Sequence, residues 1–437
     1  MFKKISILIV LLGCSLLSAG QAAFRSLEDM WKYADDHNIT IKTAKYEADK
    51  ATYAKKQSYS AFLPQGTFTG SFTDNVALQT TLIPAEIFGG PPSTYRPVQF
   101  GQKYIYTAGF TAQLDIINLQ SWLNVQIAKS TEAYNNASLA NTRKTVYQQI
   151  ATQYYSYLLM QEAARLAEKS EAIADSVVQS VSNKFTEGTV NAANVDMSKI
   201  NLERTRQTRI TAQYQMLTAK NNLKALLGLS VSDSLQIGSV LQNNLSIAPD
   251  APFQEDPSIM QAYYQTKISL AQYRAYKSTF LPTVNVLYNN TTQQNDNKFE
   301  PFQSGPQWYP ARYWTLRASW TLFSGGSRWF QNKRNKLTYD ESTAQYEQAQ
   351  KQSAINDENI RLSYQRSAAL LHKTEEVMNL SFDNYSHISY RYQEGIASLD
   401  DRLSAFKDYI DYQNQYLNSL SDMLVQLYQV KLRQQTF

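Results

Sequence analysis

Two very long stretches without proline or glycine constrain this chain more than any other feature. The first runs from about Trp122 to Phe185 and the second from about Trp329 to Glu394. A helix of about 64 residues has a length on the order of 95 Å. Because so long a helix extends beyond a compact domain, we expect each stretch to pack against other helices as in a coiled coil.

The second constraint is that the chain repeats itself. The pattern Ser-x-Phe-Leu-Pro occurs at 60–64 and again at 278–282, and alternating residues follow it both times. The segments EGTVNAANV (187–195) and EGIASLDDRL (394–403) recur later in the same order. We therefore predict an internal duplication of a unit of about 200 residues.

Each unit is predicted to contain a helix, two strands joined by a loop, a very long helix, a turn and a returning helix. Proline ends each opening helix because its ring blocks continuation. The predicted first unit covers 24–228, a linker that packs around the middle covers 229–256, and the second unit covers 257–437. The opening helices are predicted at 25–62 and 257–280, the strands at 66–74, 104–117, 283–291 and 313–323, and the returning helices at 191–227 and 398–435.

The predicted strands alternate apolar and polar side chains. In 104–117 one face carries Tyr106 and Phe110, and the other carries Thr107 and Asp115. Two interpretations fit this alternation: strands of an outer-membrane barrel, or a half-buried antiparallel sheet. The long helices favour the barrel. Because the edges of a four-stranded sheet have no hydrogen-bond partners in lipid, several copies of the chain must then complete one barrel.

The N-terminal residues have the pattern of an export signal. Lys3 and Lys4 precede an apolar run, and small residues follow it, so we expect a signal peptide over 1–23. The alternative is that Leu12-Gly13-Cys14 forms a lipobox and that Cys14 is acylated. Removal of the signal removes the only cysteine of the chain and therefore excludes disulfides and thiolate metal sites.

Composition and motifs argue against several other functions. The three histidines lack a metal-ligand spacing, and a net charge of +5 is too small to indicate nucleic-acid binding. We find no nucleophile–base pair and no phosphate-binding loop. We therefore expect no enzyme activity, no metal and no cofactor.

Taken together, these residues resemble the TolC-like outer membrane efflux proteins. The resemblance rests on the two FLP helix ends, the two strand-to-helix junctions and the two glycine turns, and it covers essentially the whole chain after the signal. It implies a mostly α fold with membrane β: a homotrimer whose twelve-stranded barrel continues into a periplasmic α-helical tunnel. It also implies a passive exit duct that is closed at the glycine turns and receives cargo from a periplasmic adaptor and an inner-membrane transporter.

The resemblance also carries over candidate residues for the closed entrance. Tyr392 matches a family tyrosine three positions before the turn glycine, and Asp401 matches an acidic residue six positions after it. Ala397 and Ser404 stand where the best-known family member has an arginine and a second aspartate, so its latching network is only partly present. The complete candidate set is Phe185, Asn194, Tyr392, Asp400, Asp401 and Arg402, with the turn glycines Gly188 and Gly395.

Both main candidates also have a purely structural interpretation. In a trimer, three copies of Asp401 would form a carboxylate ring that favours cations. Ser398-x-x-Asp401 is at the same time a helix-start signature, and the two roles are compatible. Tyr392 and Phe185 have the alternative of simple helix packing.

Two further questions stay open at the level of sequence. The loop at 75–104 is expected outside the cell, as a cover, with a plug or a phage site as the alternatives. Instead of an efflux or type I secretion duct, the same trimer could be a structural or adhesive envelope protein without transport.

Overall fold

The computed structural model describes residues 21–238, 252–299 and 307–436. Short 3-10 turns follow the second helix at Tyr59–Phe62 and the third strand at Ala85–Phe88. Within these residues, no helix is both long enough and apolar enough to span a membrane. In chain order the elements are β1 (Gln21–Phe24), α1 (Leu27–His37), α2 (Ile39–Ser58), β2 (Gln65–Asp74), β3 (Thr80–Pro84), β4 (Tyr95–Gln99), β5 (Tyr104–Ile117), α3 (Leu119–Thr186), α4 (Ala192–Leu227), β6 (Ser234–Ile237), α5 (Pro257–Ser278), β7 (Thr283–Asp296), β8 (Tyr309–Ser319), α6 (Ser327–Gln393) and α7 (Leu399–Gln434).

The fold is mostly helical and duplicated, as the sequence predicts. The two long helices α3 and α6 contain 68 and 67 residues, and the returning helices α4 and α7 contain 36 each. Each copy has the order helix, strand, strand, long helix, returning helix. The prediction of two very long helices is therefore confirmed.

Equivalent residues begin the main opening helix in both copies. The side-chain Oδ1 of Asn38 accepts a hydrogen bond from the backbone N–H of Thr40 at 2.8 Å, and Oδ1 of Asp256 accepts one from Ser258 at 3.0 Å. The single helix predicted over 25–62 is therefore wrong. Asn38 has an extended backbone with a ψ of 127°, which ends α1. Its side chain satisfies the first free N–H groups of α2, so a new helix starts after it.

The chain divides into two compact units. Among the described residues, the helical unit comprises 21–49, 134–238, 252–263 and 344–436, and the strand unit comprises 50–133, 264–299 and 307–343.

The strand unit contains an antiparallel sheet with the order β2-β5-β7-β8. The pairing of β5 with β7 joins the two copies of the duplicated unit, and it extends β7 to Asp296, beyond the predicted end at 291. The strand predicted at 313–323 lies instead at Tyr309–Ser319. Its pairing ends where Ser319 meets Thr283, the first residue of β7 after Pro282, so residues 320–323 have no partner strand.

The register places the apolar side chains of different strands on one face of the sheet. Phe68 and Phe72 of β2 pair with Phe110 and Tyr106 of β5. Towards the β8 edge of the sheet, Tyr288 pairs with Trp314 on the same face, and their ring centroids are 4.6 Å apart. Paired residues of an antiparallel ladder share a face, so all of these aromatic side chains lie on one face of the sheet. Asn290, Thr292 and Gln294 of β7 lie on the same face, opposite Phe110, Ala108 and Tyr106.

Two smaller sheets were not predicted. Strands β3 and β4 form an antiparallel hairpin within the loop at 75–104, and β1 pairs in parallel with β6. The predicted signal boundary at residue 23 falls inside β1, and the predicted linker contains β6. Cys14 and residues 239–251 of the linker lie outside the described residues.

A buried core holds together the helices of the helical unit. Trp31 of α1 stacks on Tyr147 of α3 with a centroid distance of 5.0 Å, and its indole N–H donates to the Tyr147 carbonyl at 2.9 Å. The Tyr147 hydroxyl donates to Asp35 at 2.9 Å. Burial and this carboxylate raise the pKa of Tyr147, so its hydroxyl stays protonated and continues to donate.

A buried ion cluster ties the segment before α5 to other helices of this unit. Asp256 accepts from Lys144 at 2.5 Å, and Arg433 near the end of α7 lies 3.8 Å from the same carboxylate. Arg433 also forms a bidentate pair with Asp357 at 2.7 and 2.8 Å. Burial alone would raise the pKa of Asp256, but hydrogen bonds from Lys144 and Ser258 lower it overall. The cluster therefore stabilises the fold while Asp256 is ionised.

We expect Asp256→Asn to destabilise the protein by about 2–3 kcal/mol, because it leaves buried cationic donors without their carboxylate. The measurement is the midpoint of thermal unfolding in detergent, followed by circular dichroism. Since the pKa of Asp256 is lowered in the fold, its contribution is present at neutral pH and is lost as the pH falls through the folded-state value. Asp340→Asn, which breaks the exposed pair with Lys336, is the control and should change the midpoint much less, because exposed ion pairs contribute little to stability. Equal midpoints for the two variants would contradict the stabilising role of the cluster.

Candidate functional site at the two glycine turns

The two long helices end in turns of the same geometry. Gly188 and Gly395 both have a φ of +75°, in the left-handed region that glycine adopts most easily. The residue after each glycine donates its N–H back to the helix, from Thr189 to the Lys184 carbonyl at 2.9 Å and from Ile396 to the Arg391 carbonyl at 2.8 Å. This is the hydrogen-bond pattern of a Schellman motif, and it reverses the chain so that a second helix returns.

Asp401 belongs to a capping box at the start of α7. Its Oδ2 accepts from the Ser398 backbone N–H at 3.0 Å and from the Ser398 hydroxyl at 2.7 Å, while its own N–H donates to Ser398 Oγ at 3.1 Å. These bonds from Ser398 lower the pKa of Asp401. The capping interpretation is confirmed. In the first copy, Asn191 caps α4 and accepts from the N–H of Asn194 at 3.0 Å.

Tyr392 is a packed residue of the helical unit. Tyr392 is 4% exposed and forms a small core together with Val177 and Val181 of α3 and Leu399 of α7. The Lys184 ammonium lies 4.1 Å from the centre of the Tyr392 ring and donates to the Tyr392 carbonyl at 2.9 Å. Burial raises the pKa of Tyr392. The first copy therefore holds the turn of the second copy through an aromatic ring.

Arg402 reaches the same tyrosine from α7. Its guanidinium lies 5.2 Å from the centre of the Tyr392 ring, and the side chain is only 3% exposed. Within the described residues, its Nε and one Nη have no hydrogen-bond acceptor, and neither does the Tyr392 hydroxyl. Buried donors without acceptors are costly, so this arrangement has free hydrogen-bonding capacity that a changed conformation or a bound water can use.

The structure brings together only part of the predicted set. Tyr392 and Arg402 are in contact, and Asp400 and Asp401 are exposed beside them on α7. Phe185 is 47% exposed and is not part of the Tyr392 cluster. Sequence reasoning missed Lys184, although its position one residue before the aromatic residue of the first turn was a usable signal.

A cavity of about 250 Å³ with a mostly apolar lining lies between α3, α4 and α7 of the helical unit. Ser170 and Gln413 are buried in its wall and hydrogen-bonded to each other at 3.0 Å. Charged side chains at its mouth come from both returning helices, Arg204 from α4 and Lys407 and Asp411 from α7. This cavity offers apolar surface, charge and hydrogen bonds to a bound helix or peptide.

We expect Ser398→Ala to loosen the first turn of α7, because loss of an N-cap costs about 1 kcal/mol. Hydrogen exchange of the amides at 399–402 should accelerate about fivefold, while exchange in the first turn of α4 stays unchanged. The control is Ser404→Ala, which replaces an exposed serine further along α7. Unchanged exchange in Ser398→Ala would mean that the capping box does not stabilise the turn.

Comparisons with known proteins give the family of the chain. The family model described as outer membrane efflux protein matches residues 32–229 and 249–432, which is most of the sequence. Among curated proteins, no sequence matches the chain.

Solved structures of outer-membrane channels share the fold. The outer membrane protein VceC from Vibrio cholerae superposes with a TM-score of 0.74 at 18% identity, over 92% of this chain and 95% of its own. The outer-membrane channel OprN gives 0.73 at 15% identity, over 94% and 90% of the two chains. The open state of the Neisseria gonorrhoeae MtrE outer membrane channel gives 0.69 at 16% identity, over 94% and 91%. With the family match over both copies of the repeat, these observations show that the chain is an outer-membrane protein and belongs to the outer membrane efflux protein family.

Proposed function

We propose that this chain is one protomer of a homotrimeric exit duct with a twelve-stranded barrel and a helical tunnel. The duct is passive and serves a tripartite efflux or type I secretion system. A periplasmic adaptor and an inner-membrane transporter supply cargo and energy, and the cavity between α3, α4 and α7 is the candidate contact for the adaptor. The entrance closes at the two glycine turns.

The observation that carries this proposal is the open sheet. Among the described residues, β2 and β8 each pair with one neighbouring strand, so one row of backbone N–H and C=O groups on each strand has no partner. In a bilayer each such group costs several kcal/mol, and only a closed barrel removes the edges. Three copies contribute twelve strands, within the range of known outer-membrane barrels.

The surface of the sheet supports a lipid contact. Trp314 and Leu316 of β8 are 71% and 69% exposed, and Phe68 of β2 is 73% exposed on the same face. A water-soluble sheet would bury such a face, whereas lipid stabilises it. We therefore assign the aromatic face to hydrocarbon and the opposite face to the lumen.

A second surface supports assembly in the helical unit. Apolar side chains recur on α6 at intervals of seven or eight residues, and Ile355, Leu362, Leu370 and Val377 are all exposed. This is close to the heptad spacing of a coiled-coil seam, which needs a partner helix. In the proposed trimer, a helix of the neighbouring protomer covers this stripe.

We expect Asp401→Asn to lower the cation preference of the reconstituted channel, because it removes a threefold ring of carboxylates from a narrow entrance. The reversal potential across a planar bilayer in a salt gradient measures this preference. Hydrogen bonds from Ser398 lower the pKa of Asp401, so the parent protein should show its cation preference at neutral pH.

The control for this prediction is Asp422→Asn, which removes an exposed carboxylate from the same helix about 30 Å further along. Unchanged selectivity in Asp401→Asn would refute the ring, and an equal loss in both variants would show a general charge effect instead.

Two measurements test the duct itself. Light scattering in detergent gives the mass of the purified assembly, and a monomer would refute the trimer. Trimers that form no channels in planar bilayers, even as Asp401→Ala, would favour a structural or adhesive role. A deletion strain tested for drug sensitivity and for lost secreted proteins then separates efflux from secretion.

A further inference from the structure

The two glycine turns have matching sequences but different surroundings. Tyr392, three residues before Gly395, is 4% exposed, whereas Phe185, three residues before Gly188, is 47% exposed. Seven residues after each aromatic residue, Leu399 is buried and its counterpart Ala192 is exposed. The second turn is thus packed against something that the first turn lacks.

The difference comes from the helix face that each turn contacts. Within one chain, Tyr392 and Leu399 lie against Val177 and Val181 of α3, and Lys184 covers the tyrosine ring. These three α3 positions precede their turn glycine by eleven, seven and four residues. The same spacings before Gly395 give Asn384, Ile388 and Arg391 on α6.

This second face is only partly covered within the chain, where Ile388 packs against the cluster that contains Tyr385 and Phe406. Asn384 and Arg391 are exposed and Ile388 is half-buried. Each chain therefore contains one complete contact of this kind, in which Tyr392 packs against α3. It also presents the two surfaces that a second such contact needs, at Phe185 of the first turn and at Arg391 of α6.

We propose that Phe185 of one protomer packs against Ile388 and Arg391 of the next protomer, and so repeats between chains the contact that Tyr392 makes within a chain. The inference rests on the proposed trimer. In a closed ring, the Gly188 turns and the Gly395 turns alternate. Each Gly395 turn therefore lies between two Gly188 turns, one of its own chain and one of the neighbouring chain. The occupant of the exposed Phe185 surface is therefore a second copy of this chain.

The side chains suit this assignment. Arg391 stands at the position of Lys184, and Phe185 stands at the position of Tyr392. The cation over an aromatic ring is kept in both pairs, with a guanidinium on phenylalanine between chains and an ammonium on tyrosine within a chain. Ile388 replaces Val181 as the apolar contact beneath the ring.

The experiment uses full-length protein in detergent and a short bismaleimide cross-linker. The double variant Phe185→Cys/Arg391→Cys should give covalent dimers and trimers on denaturing gels, because its two thiols meet between chains. Each single variant and the parent chain, whose only cysteine is Cys14, should remain largely monomeric. Lys184→Cys/Tyr392→Cys is the matched control and should cross-link within one chain, with no increase in mass.

Light scattering on the same samples distinguishes a failure of this contact from a failure of the proposed trimer. A trimer in which the control pair reacts but the 185/391 pair gives no covalent dimer overturns this contact and leaves the proposed duct intact. A monomer overturns both.

A second variant guards against misfolding of the cysteine pair. A photoreactive benzoylphenylalanine at position 185 retains an aromatic ring at an exposed site. On irradiation it should label the peptide that contains Ile388 and Arg391 of another chain. Mixed trimers in which one half of the chains carry an isotope label show whether the labelled peptide belongs to another chain. Labelling confined to other peptides would overturn the contact.

Discussion

Unpaired backbone groups at the edges of β2 and β8 are the constraint on which the rest of this molecule depends. Water satisfies such groups in a soluble protein, but a bilayer does not. The described residues contain one four-stranded sheet with an aromatic face, and in the proposed lipid setting that sheet is incomplete in a single chain. The exposed apolar stripe on α6 poses a similar problem in the helical unit, and in the proposed trimer neighbouring copies resolve both.

Duplication determines how that closure works. The ladder between β5 and β7 joins the second strand of one copy to the first strand of the other. In the proposed barrel, β8 meets the β2 of a neighbour and repeats this junction between chains. The glycine turns follow the same pattern. The contact of Tyr392 with α3 forms once within the chain, and in the proposed trimer the equivalent contact of Phe185 with α6 forms between chains.

Most of this fold could be predicted from the sequence, because local sequence signals mark the ends of its helices and strands. The long helices end at glycines that need a positive φ, and alternation located β5 from Tyr104 to Ile117. The prediction failed where a boundary depends on a distant partner. The end of β8 is set by Thr283 across the ladder, and Lys184 meets Tyr392 only because the two copies pack together. The break at Asn38 had a local capping signal, which the helical pattern around it obscured.

Asp401 shows why its structural role need not compete with the role proposed for it at the entrance. Both hydrogen bonds from Ser398 end on Oδ2, so the cap does not require Oδ1. The same bonds lower the pKa of the carboxyl group and therefore keep it ionised as the surroundings become acidic. The helix start thus fixes the position of the carboxylate and preserves its charge. Both properties are what a selective ring at a narrow mouth needs, so the capping box supports the proposed ring.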